Sequence, residues 1–446
     1  MGAVYDLAVI GGGAAGLTAA RFGVALGATV ALVERGPAAL GGECLHTGCV
    51  PSKALIHAAR AHWAAGRTAR FGLPGREAAG PVDLGAVMDG VQAVIRRAGE
   101  PDSPAALAAR GVALHFGHAT FRSPALLEVD GAPLRARRYI LATGSRPAVP
   151  DIAGLDQVAY YTNETIVGLR ALPAALVVVG GGPVGCELGQ AFSRLGARVT
   201  LLQRAPRLLP REDPEASDLL RRALAREGVA VVTGATVRRV RRDGDELVAT
   251  VARAGEEADY RGDALLVAAG RRVDASGLRL DAAGIAVGRG GIAVDRHGRT
   301  ANPRVYACGD ATGPLRFTHA AGYQAALVVR NALLPFPRPL DYRAIPWATF
   351  TAPEVARVGL TVEEARRARG GVRVTRLPYD QIDRALAARA EEGFIKLVHD
   401  GRGRLLGAQL VGPDAGETVS EVALAMKHGL GLGDLAAAVH VYPTLG

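Results

Sequence analysis

The pattern of apolar and polar positions predicts alternating strands and helices in the first part of the chain. Apolar residues 5–10 form a predicted strand, and a helical pattern then continues through Leu26. A second predicted strand covers residues 29–33 and ends in Glu34. Because strands that alternate with helices form parallel sheets, this order predicts a doubly wound α/β sheet.

The same order of elements returns about 170 residues later. Residues 176–179 form a predicted strand, a helix follows to about Leu195, and residues 198–202 form the next strand. Proline-rich residues 335–346 are typical of a linker, and from about Trp347 a mixed strand and helix pattern predicts a third, α+β domain. Two further helices are predicted at residues 55–70 and 84–98.

The first strand is followed by the glycine motif Gly-x-Gly-x-x-Gly at residues 11–16. In such a motif Gly11 permits the tight turn, Gly13 lets the backbone approach a pyrophosphate, and Gly16 lets helix and strand pack closely. Glu34 lies 18 residues after Gly16, close to the spacing expected of a carboxylate that binds a ribose hydroxyl. The context predicts a bound dinucleotide.

The second strand and helix carry a similar motif at residues 180–185, so the sequence predicts two dinucleotides. One is expected to be a flavin and the other the nicotinamide that reduces it. The position that matches Glu34 is Gln203, and Arg204, Arg207 and Arg211 follow. A neutral side chain with arginines accommodates a 2′-phosphate, so we expect NADPH rather than NADH.

The segment after the first unit contains two cysteines, Cys44 and Cys49, five positions apart. A close cysteine pair where a bound flavin can reach it indicates a redox-active disulfide. Ideal helical residues at this spacing have Cα atoms roughly 8–9 Å apart, beyond the reach of about 4.4–6.8 Å for a disulfide. A helix through this pair must therefore be distorted. Cys186 and Cys308 lie inside other motifs and are expected to be packed bystanders.

Composition narrows the class of protein further. The 446 residues suffice for two to four domains, and 49% hydrophobic with 22% charged residues is typical of a soluble globular protein. The net charge is +10, but the arginines are scattered and aromatics amount to 5%, which argues against nucleic-acid binding. We see no transmembrane run, signal peptide or zinc spacing, so the expected location is the cytoplasm.

Together these residues resemble the class I, FAD-dependent pyridine nucleotide–disulfide oxidoreductase family, which includes glutathione reductase, dihydrolipoamide dehydrogenase and mercuric reductase. The resemblance covers essentially the whole chain. Its motifs are the glycine motif at 11–16, Cys-x4-Cys-Val-Pro-Ser-Lys at 44–53, Ala-Thr-Gly at 142–144, the second glycine motif at 180–187 and Gly-Asp at 309–310.

The resemblance implies FAD, a homodimer, and hydride flow from nicotinamide to flavin to disulfide. It places Cys49 against the flavin, makes Cys44 the interchange thiol, and pairs Lys53 with Glu187 beside the flavin ring. Asp310 is expected to bind the ribityl chain. The predicted contacts are Gly11, Gly13, Ala14, Ala15, Gly16, Glu34, Gly42, Glu43, Lys53, Ala119, Thr143, Gly144, Asp310, Thr318 and His319 for FAD, and Gly180, Gly182, Gly185, Gln203, Arg204 and Gly270 for the nicotinamide nucleotide.

The implied fold is α/β, with two Rossmann-like domains for FAD and NAD(P) and a C-terminal α+β dimerisation domain. The predicted domains are 1–149 (FAD, first part), 150–271 (NAD(P)), 272–335 (FAD, second part) and 340–446 (dimerisation).

The C-terminal segment bears on the electron acceptor. Disulfide-reducing members of the family usually carry His-Pro-Thr and then a Glu, whereas here Tyr442 takes the place of the histidine and the chain stops before the Glu. A phenol with a pKa of about 10 is a poor base at neutral pH. His440, two residues earlier, is the alternative acid or base.

A tyrosine at this place is similar to mercuric reductase, where it assists Hg(II) at the cysteine pair. Cys44 and Cys49 are then transient ligands of a substrate metal ion, which suits soft thiolates. Against this, no cysteine follows Cys308, and no metal-binding domain precedes the first strand. The expected activity is therefore a mercuric-reductase-like NADPH enzyme. Reduction of lipoamide or another small disulfide, a quinone diaphorase, and a flavin redox sensor remain as alternatives.

Overall fold

The structure is a computed structural model, and it describes residues 4–73, 81–273, 275, 277–313 and 315–446. The helices in these ranges are α1 Ala14–Ala25, α2 Gly42–His46, α3 Cys49–Ala65, α4 Leu84–Gly99, α5 Pro104–Ala109, α6 Pro183–Leu195, α7 Pro214–Arg226, α8 Thr318–Leu333, α9 Val362–Ala368, α10 Asp383–Ala387, α11 Ala415–His428 and α12 Leu432–Ala437.

The strands in the same ranges are short and numerous. They are β1 Val4–Ile10, β2 Val30–Glu34, β3 Val112–Phe116, β4 Ala119–Ser123, β5 Leu126–Val129, β6 Ala132–Leu141, β7 Ser145–Pro147, β8 Ala175–Val179, β9 Arg198–Gln203, β10 Ala230–Thr233, β11 Thr236–Asp243, β12 Glu246–Arg253, β13 Glu256–Gly262, β14 Ala264–Val267, β15 Arg271–Val273, β16 Val287–Gly288, β17 Gly291–Ile292, β18 Val305–Ala307, β19 Pro346–Thr349, β20 Glu354–Gly359, β21 Arg373–Pro378, β22 Phe394–His399 and β23 Leu405–Gly412.

The first of two compact units consists of residues 1–54, 89–148 and 271–340. Its sheet runs β3-β2-β1-β6, with β18 paired to β6, and all these pairs are parallel. Strand β1 is buried on both faces, since Leu7 and Val9 join one core cluster and Ala8 and Ile10 join the other. Helices α1 and α8 contribute to the first cluster and strands β4 and β5 to the second, so both faces of this parallel sheet are covered.

The second unit consists of residues 55–88, 149–270 and 341–446. It contains a four-stranded parallel sheet in the order β10-β9-β8-β14 and an antiparallel sheet β11-β12-β13. Helix α6 follows β8 directly, so strand, glycine loop and helix repeat the arrangement at the start of the chain.

The C-terminal part of the second unit is an antiparallel sheet in the order β19-β20-β23-β22-β21. Buried side chains of α11, among them Val419 and Val422, share a core cluster with Val358 and Leu410 of this sheet. A sheet with a helix on it is the predicted α+β domain, and the predicted α/β fold class is confirmed. The domain boundaries given above stay predictions.

One predicted helix differs from the observed one in its bounds. The helix predicted at 55–70 is α3, which begins six residues earlier at Cys49 and ends at Ala65. Its early start is compatible with Pro51, because proline is tolerated in the first turn of a helix. The long segment 300–310 contains only the three-residue strand β18, followed by a 3₁₀ turn over Gly309–Thr312.

Candidate active site

The close pair Cys44 and Cys49 lies on either side of a break in the helical path. Cys44 is in the one-turn helix α2, and Cys49 is the first residue of α3. Between them Thr47 leaves the helical conformation, with φ −141° and ψ 0°. A Cβ atom on Gly48 would lie 2.9 Å from the carbonyl oxygen of Glu43, so the turn needs glycine there. The distortion that the spacing predicts is thus present.

Both cysteine sulfurs contact one hydroxyl group. Thr318, the first residue of α8, donates a hydrogen bond to Cys44 Sγ at 3.2 Å, and its Oγ1 also lies 3.2 Å from Cys49 Sγ. Cys49 and Thr318 are exposed, and Cys44 is half-buried. All four cysteines are thiols in this structure. One hydroxyl oxygen therefore contacts both sulfurs, and the sulfur of Cys49 belongs to an exposed side chain.

The pKa of the Cys44 thiol is raised well above its usual range. The largest cause is the hydrogen bond to Cys49, followed by burial, while the Thr318 hydroxyl lowers this pKa. Cys49, at the N-terminus of the 17-residue helix α3, is placed where a helix dipole favours a thiolate. The pair thus combines a protonated thiol with a site for a thiolate.

The first glycine loop is held by sterics and by Glu34. A Cβ on Gly16 would lie 1.7 Å from the carbonyl oxygen of Gly11, and Gly11 itself has φ +104°. The Glu34 carboxylate accepts a hydrogen bond from the Gly12 N–H at 2.7 Å. Helix α1 begins after Gly13 with no side-chain cap, so its first N–H groups face outward for an anion.

Two further observations indicate that the first unit fits FAD. The Thr143 hydroxyl oxygen is buried and has no hydrogen-bond partner in the described residues, as expected of a group that awaits a ligand. Beside it, Gly144 has φ +71° and open space where a side chain would be. FAD, when bound, supplies two-electron transfer to the cysteine pair. Thr143, Gly144, Glu34 and the loop glycines are the residues that would hold it.

Asp310 lies in a polar network of the first unit. Ser145 donates to its Oδ2 at 2.5 Å, and Arg271 Nε lies 3.6 Å from the same oxygen. The guanidinium of Arg271 also binds both carboxylate oxygens of Glu43. Two residues predicted separately, Glu43 and Asp310, are thus brought together through Arg271 and Ser145, which sequence reasoning did not single out.

The second glycine loop has the same steric arrangement as the first, but the neutral Gln203 takes the place of the charged Glu34. A Cβ on Gly185 would lie 1.8 Å from the carbonyl oxygen of Gly180. The Gln203 side-chain oxygen accepts from the Gly181 N–H at 3.1 Å, and its amide donates to the Arg207 carbonyl at 3.2 Å. Helix α6 begins after Gly182 with no side-chain cap, and Gly182 has open space beside it. This loop fits a second dinucleotide phosphate.

The remaining predicted residues of the second unit are placed as follows. The buried Glu187 accepts from the backbone N–H of Phe350 at 2.8 Å. Arg204 is exposed, and Gly270 has φ +125°. His440 and Tyr442 lie on the exposed C-terminal tail. His440 Nε2 is 2.7 Å from Glu421 Oε1, and the Tyr442 hydroxyl donates to Asp383 at 2.9 Å, so both side chains are bound to carboxylates.

In the first unit, Lys53 on α3 donates to the Ser52 hydroxyl at 3.4 Å, and Ala119 opens β4. His319 stacks on Phe317 with ring centroids 5.6 Å apart. Cys186 and Cys308 are fully buried, and burial raises the pKa of both thiols, to about 12 for Cys308. The structure places these residues, and their roles in the reaction stay predictions.

The Thr318 side chain is the main functional group that the sequence did not reveal. We expected Thr318 to contact FAD, yet its hydroxyl bonds to Cys44 and Cys49 across more than 260 positions of the chain. Arg271 was also missed as a partner of Glu43. The signal for it was weak, an arginine after a glycine at the end of a strand.

Comparison with known proteins identifies the family. Residues 5–325 match the family described as pyridine nucleotide-disulphide oxidoreductase, and residues 345–446 match its dimerisation domain. A mercuric reductase of Streptomyces lividans is 40% identical over 99% of this chain and 94% of its own length. A mercuric reductase of Bacillus cereus is 37% identical over 99% of this chain and 70% of its own length.

A dihydrolipoyl dehydrogenase of Thermus scotoductus is 38% identical, covering 99% of this chain and 95% of the relative. Among solved structures, the HOCl-induced flavoprotein disulfide reductase RclA from Escherichia coli superposes with a TM-score of 0.87 at 30% identity, covering 99% and 97% of the two chains. The Cu(II) complex of the same reductase gives a TM-score of 0.86 at 29% identity, covering 100% and 97% of the two chains.

None of the helices in the described ranges combines the length and apolar character needed to cross a membrane. Two glycine loops, a cysteine pair and family matches along nearly the whole length agree on one assignment. The chain belongs to the pyridine nucleotide–disulfide oxidoreductase family and is an NAD(P)H- and FAD-dependent oxidoreductase with a redox-active disulfide.

Proposed function

We propose that this enzyme is an NADPH-dependent reductase of a soft metal ion, with Hg(II) as the substrate that fits best. The observation that carries the proposal is the pair of thiols, Cys44 and Cys49, which share contact with one hydroxyl at 3.2 Å. Two sulfurs at such short range, one of them exposed, offer a soft metal ion two ligands at once. Mercuric reductases at 37–40% identity support the choice of ion.

The reaction balances without a further reagent. NADPH gives up a hydride, which carries two electrons, and Hg(II) accepts two electrons to become Hg(0), so the products are NADP⁺, a proton and the metal. Cys44 and Cys49 must both be deprotonated to hold the ion, since thiolates rather than thiols bind metals. Because the Thr318 hydroxyl lowers the pKa of Cys44, it favours this binding form.

Anaerobic NADPH oxidation with Hg(II) in excess small thiol tests the proposal. We expect turnover that is lost in Cys44→Ala and in Cys49→Ala but kept in Cys186→Ala, a matched variant at a buried cysteine outside the pair. Cu(II) belongs in the same assay because a structural relative is described as a Cu(II) complex. If NADPH reduces the flavin but neither ion is turned over, the proposal is wrong.

The preference for NADPH rests on Gln203. Its neutral side chain stands where Glu34 stands in the first loop, and the exposed Arg204 and Arg207 follow it. Guanidinium groups bind phosphate well, and a carboxylate at position 203 would repel it. We therefore expect a kcat/KM for NADPH above that for NADH, measured by steady-state kinetics at saturating acceptor.

A second candidate function is oxidation of a small dithiol or reduction of its disulfide. The observation that favours it is the contact of His440 with Glu421 at 2.7 Å, which raises the pKa of His440. A histidine that is hydrogen-bonded to a carboxylate can serve as the acid or base for proton transfer in thiol–disulfide exchange. Dihydrolipoamide-dependent reduction of NAD⁺, abolished in His440→Asn, would support this function, and unchanged turnover in that variant would exclude it.

The enzyme is also proposed to act as a homodimer. Residues 345–446 match the family's dimerisation domain, and that segment exposes apolar side chains at Leu424, Val439 and Val441. Sedimentation equilibrium of the FAD-loaded protein tests this proposal, since a mass near 46 kDa per particle would mean a monomer.

A further inference from the structure

Residues 211–213 of the second unit are bound by side chains of the C-terminal sheet. These side chains are Trp347 of β19, Arg357 of β20, Lys396 of β22 and Gln409 of β23. Trp347 Nε1 donates to Glu212 Oε1 at 2.8 Å, and Arg357 donates to the Arg211 carbonyl. Lys396 Nζ donates to Asp213 Oδ1 at 2.9 Å, and the Gln409 side-chain oxygen accepts from the Asp213 N–H at 3.2 Å. Contacts on three successive residues fix this point of the backbone.

Most of these contacts are made by buried charged groups. Glu212, Asp213, Arg357 and Lys396 are all buried. The second carboxylate oxygen of Glu212 has no hydrogen-bond partner in the described residues, and burial raises the pKa of this carboxyl. Groups of this kind stabilise a fold less than apolar packing does, but their directional hydrogen bonds fix positions. Stability alone therefore does not account for Glu212.

Two backbone hydrogen bonds connect Glu212 to the second glycine loop. The Glu212 N–H donates to the Leu209 carbonyl at 2.9 Å, and the Leu209 N–H donates to the Gly181 carbonyl at 2.8 Å. Leu209 has φ +43°, a conformation that residues other than glycine seldom adopt and that persists only where surrounding contacts hold it. The turn at Leu209 is thus held by the glycine loop on one side and by the sheet-bound Glu212 on the other.

The turn closes the part of the chain that carries the arginines of the proposed 2′-phosphate site. This part begins at Gln203, whose side-chain oxygen accepts from the Gly181 N–H at 3.1 Å, and it ends at Leu209, bonded to the carbonyl of the same glycine. Arg204 and Arg207 lie between these ends and are exposed. Guanidinium groups bind phosphate more tightly when their positions are fixed in advance, because ordering them during binding costs affinity.

We propose that Glu212 and Trp347 are positioning residues for the nicotinamide nucleotide. Through the turn at Leu209 they hold Arg204 and Arg207 in place for the 2′-phosphate, so the C-terminal sheet takes part in the choice of nucleotide. The inference rests on the proposed preference for NADPH, and it adds residues that do not themselves touch the nucleotide.

The pyrophosphate end of the nucleotide depends on other contacts. The second glycine loop is shaped by its own sterics, since a Cβ on Gly185 would lie 1.8 Å from the carbonyl oxygen of Gly180. Helix α6 begins directly after this loop and faces the pyrophosphate in either nucleotide. NAD⁺ and NADP⁺ share this end and differ only in the 2′-phosphate. A loosened turn should therefore weaken binding of NADP⁺ more than binding of NAD⁺.

Isothermal titration calorimetry of NADP⁺ and of NAD⁺ with the oxidised, FAD-loaded enzyme tests the inference. Trp347→Phe keeps an aromatic ring and removes the N–H group that binds Glu212. We expect the Kd for NADP⁺ to rise about three- to tenfold, the effect of one lost hydrogen bond, while the Kd for NAD⁺ changes by less than about twofold. Trp63→Phe, at the other tryptophan of the chain, is the matched control and should change neither value.

Two further variants separate the contact from the charge. Glu212→Gln removes the charge but keeps an acceptor for Trp347, so both Kd values should stay within about twofold of wild type. Tighter NADP⁺ binding in Glu212→Gln would mean that the carboxylate acts by repelling the phosphate, and the proposal would be wrong. In the double variant Arg204→Gln/Arg207→Gln, adding Trp347→Phe should change the Kd for NADP⁺ no further, because its effect passes through these arginines.

A purely structural role of Trp347 gives a different result. An equal rise of both Kd values in Trp347→Phe, or no rise in either, would overturn the proposal. If Trp347→Phe does not fold, Lys396→Gln removes the neighbouring contact with Asp213 and should give the same selective loss of NADP⁺ binding. Equal Kd values in the wild type would refute the NADPH preference and this inference with it, whereas a preference that survives Trp347→Phe refutes the inference alone.

Discussion

The two glycine loops do the same steric task with different chemistry at one position. In both, the third glycine packs against the carbonyl of the first, so that an added Cβ would come within 1.7 Å at Gly16 and 1.8 Å at Gly185. In the first loop a carboxylate, Glu34, accepts the Gly12 N–H, and in the second a neutral amide, Gln203, accepts the Gly181 N–H. Holding the loop therefore does not require a charge.

What the charge changes is the ligand. A carboxylate at the end of the second strand binds ribose hydroxyls and repels a phosphate, whereas an amide tolerates one. Gln203 uses its extra N–H group to bond the Arg207 carbonyl, which Glu34 cannot do in its own loop. Loop geometry and nucleotide choice are therefore separable properties, and single substitutions should change one without the other.

The largest expected effect comes from the paired glycines. Gly16→Ala forces a Cβ into a carbonyl and should cost about 3 kcal/mol, so the purified protein should lose its visible flavin absorbance. Gly185→Ala should keep the flavin and lose reduction by NADPH, measured by stopped-flow bleaching. Gly90→Ala in α4, where an added Cβ would have open space, is the control that should change neither. Loss of flavin in Gly185→Ala would mean that the loops are not independent.

Gln203→Glu should invert nucleotide preference. A carboxylate at position 203 should weaken binding of the 2′-phosphate by about 1.5–3 kcal/mol. This lowers the ratio of kcat/KM for NADPH to kcat/KM for NADH by roughly 10- to 100-fold. Glu34→Gln is the matched change in the first loop, and it should weaken FAD retention without altering that ratio. Equal ratios in wild type and Gln203→Glu would show that the arginines alone choose the nucleotide.

Thr318→Val should affect the cysteine pair and neither loop. Without the hydroxyl the Cys44 thiolate loses a donor, so the pKa of Cys44 rises and alkylation at fixed pH slows. A hydrogen bond to a charged group contributes about 1.5–3 kcal/mol, so the rate should fall about tenfold or more. The sign follows from the direction, since a higher pKa leaves less thiolate at every pH below it. Thr318→Ser keeps the hydroxyl and should behave like wild type. A faster reaction in Thr318→Val would mean that the hydroxyl shields the sulfur.

The smallest expected effect is at Cys186, which is fully buried in α6 beside the second loop. Cys186→Ala removes one buried sulfur and should lower the free energy of unfolding by about 1 kcal/mol, seen as a lower midpoint in thermal unfolding. NADPH turnover should stay the same. A large fall in turnover would mean that this thiol supports the second loop in a way that has no counterpart in the first loop.

Much of this arrangement could be read from the chain because it is local. Glycine positions follow from sterics between residues five apart, and Glu34 and Gln203 lie at the end of the strand next to their loops. The broken helix between the cysteines also follows from a distance limit. Each of these inferences needs only the covalent spacing and the geometry of one strand–helix unit.

The other features of the candidate site depend on contacts between residues that lie far apart in the sequence. Thr318 meets Cys44 across 274 positions, and Arg271 meets Glu43 across 228. Both pairs exist only because β18 and α8 return to the first sheet and β15 pairs with β7. Many threonines begin helices, so the local sequence around Thr318 does not reveal its contact with the cysteines. The start of α3 was predicted too late for a related reason, since the cysteine segment was considered by itself rather than as the first turn of a helix.

The close approach of the first loop to the cysteine segment also has a consequence for protein engineering. Gly42 has φ +61°, a Cβ there would lie 2.7 Å from Gly13 Cα, and the Gly41 N–H bonds to the Gly12 carbonyl at 2.9 Å. The two segments therefore pack backbone against backbone, with no room for a side chain at position 42. A graft of this redox pair onto another Rossmann scaffold should therefore carry residues 11–16 and 41–49 as a single block, because the close approach at Gly42 and the hydrogen bond of Gly41 both depend on the first loop.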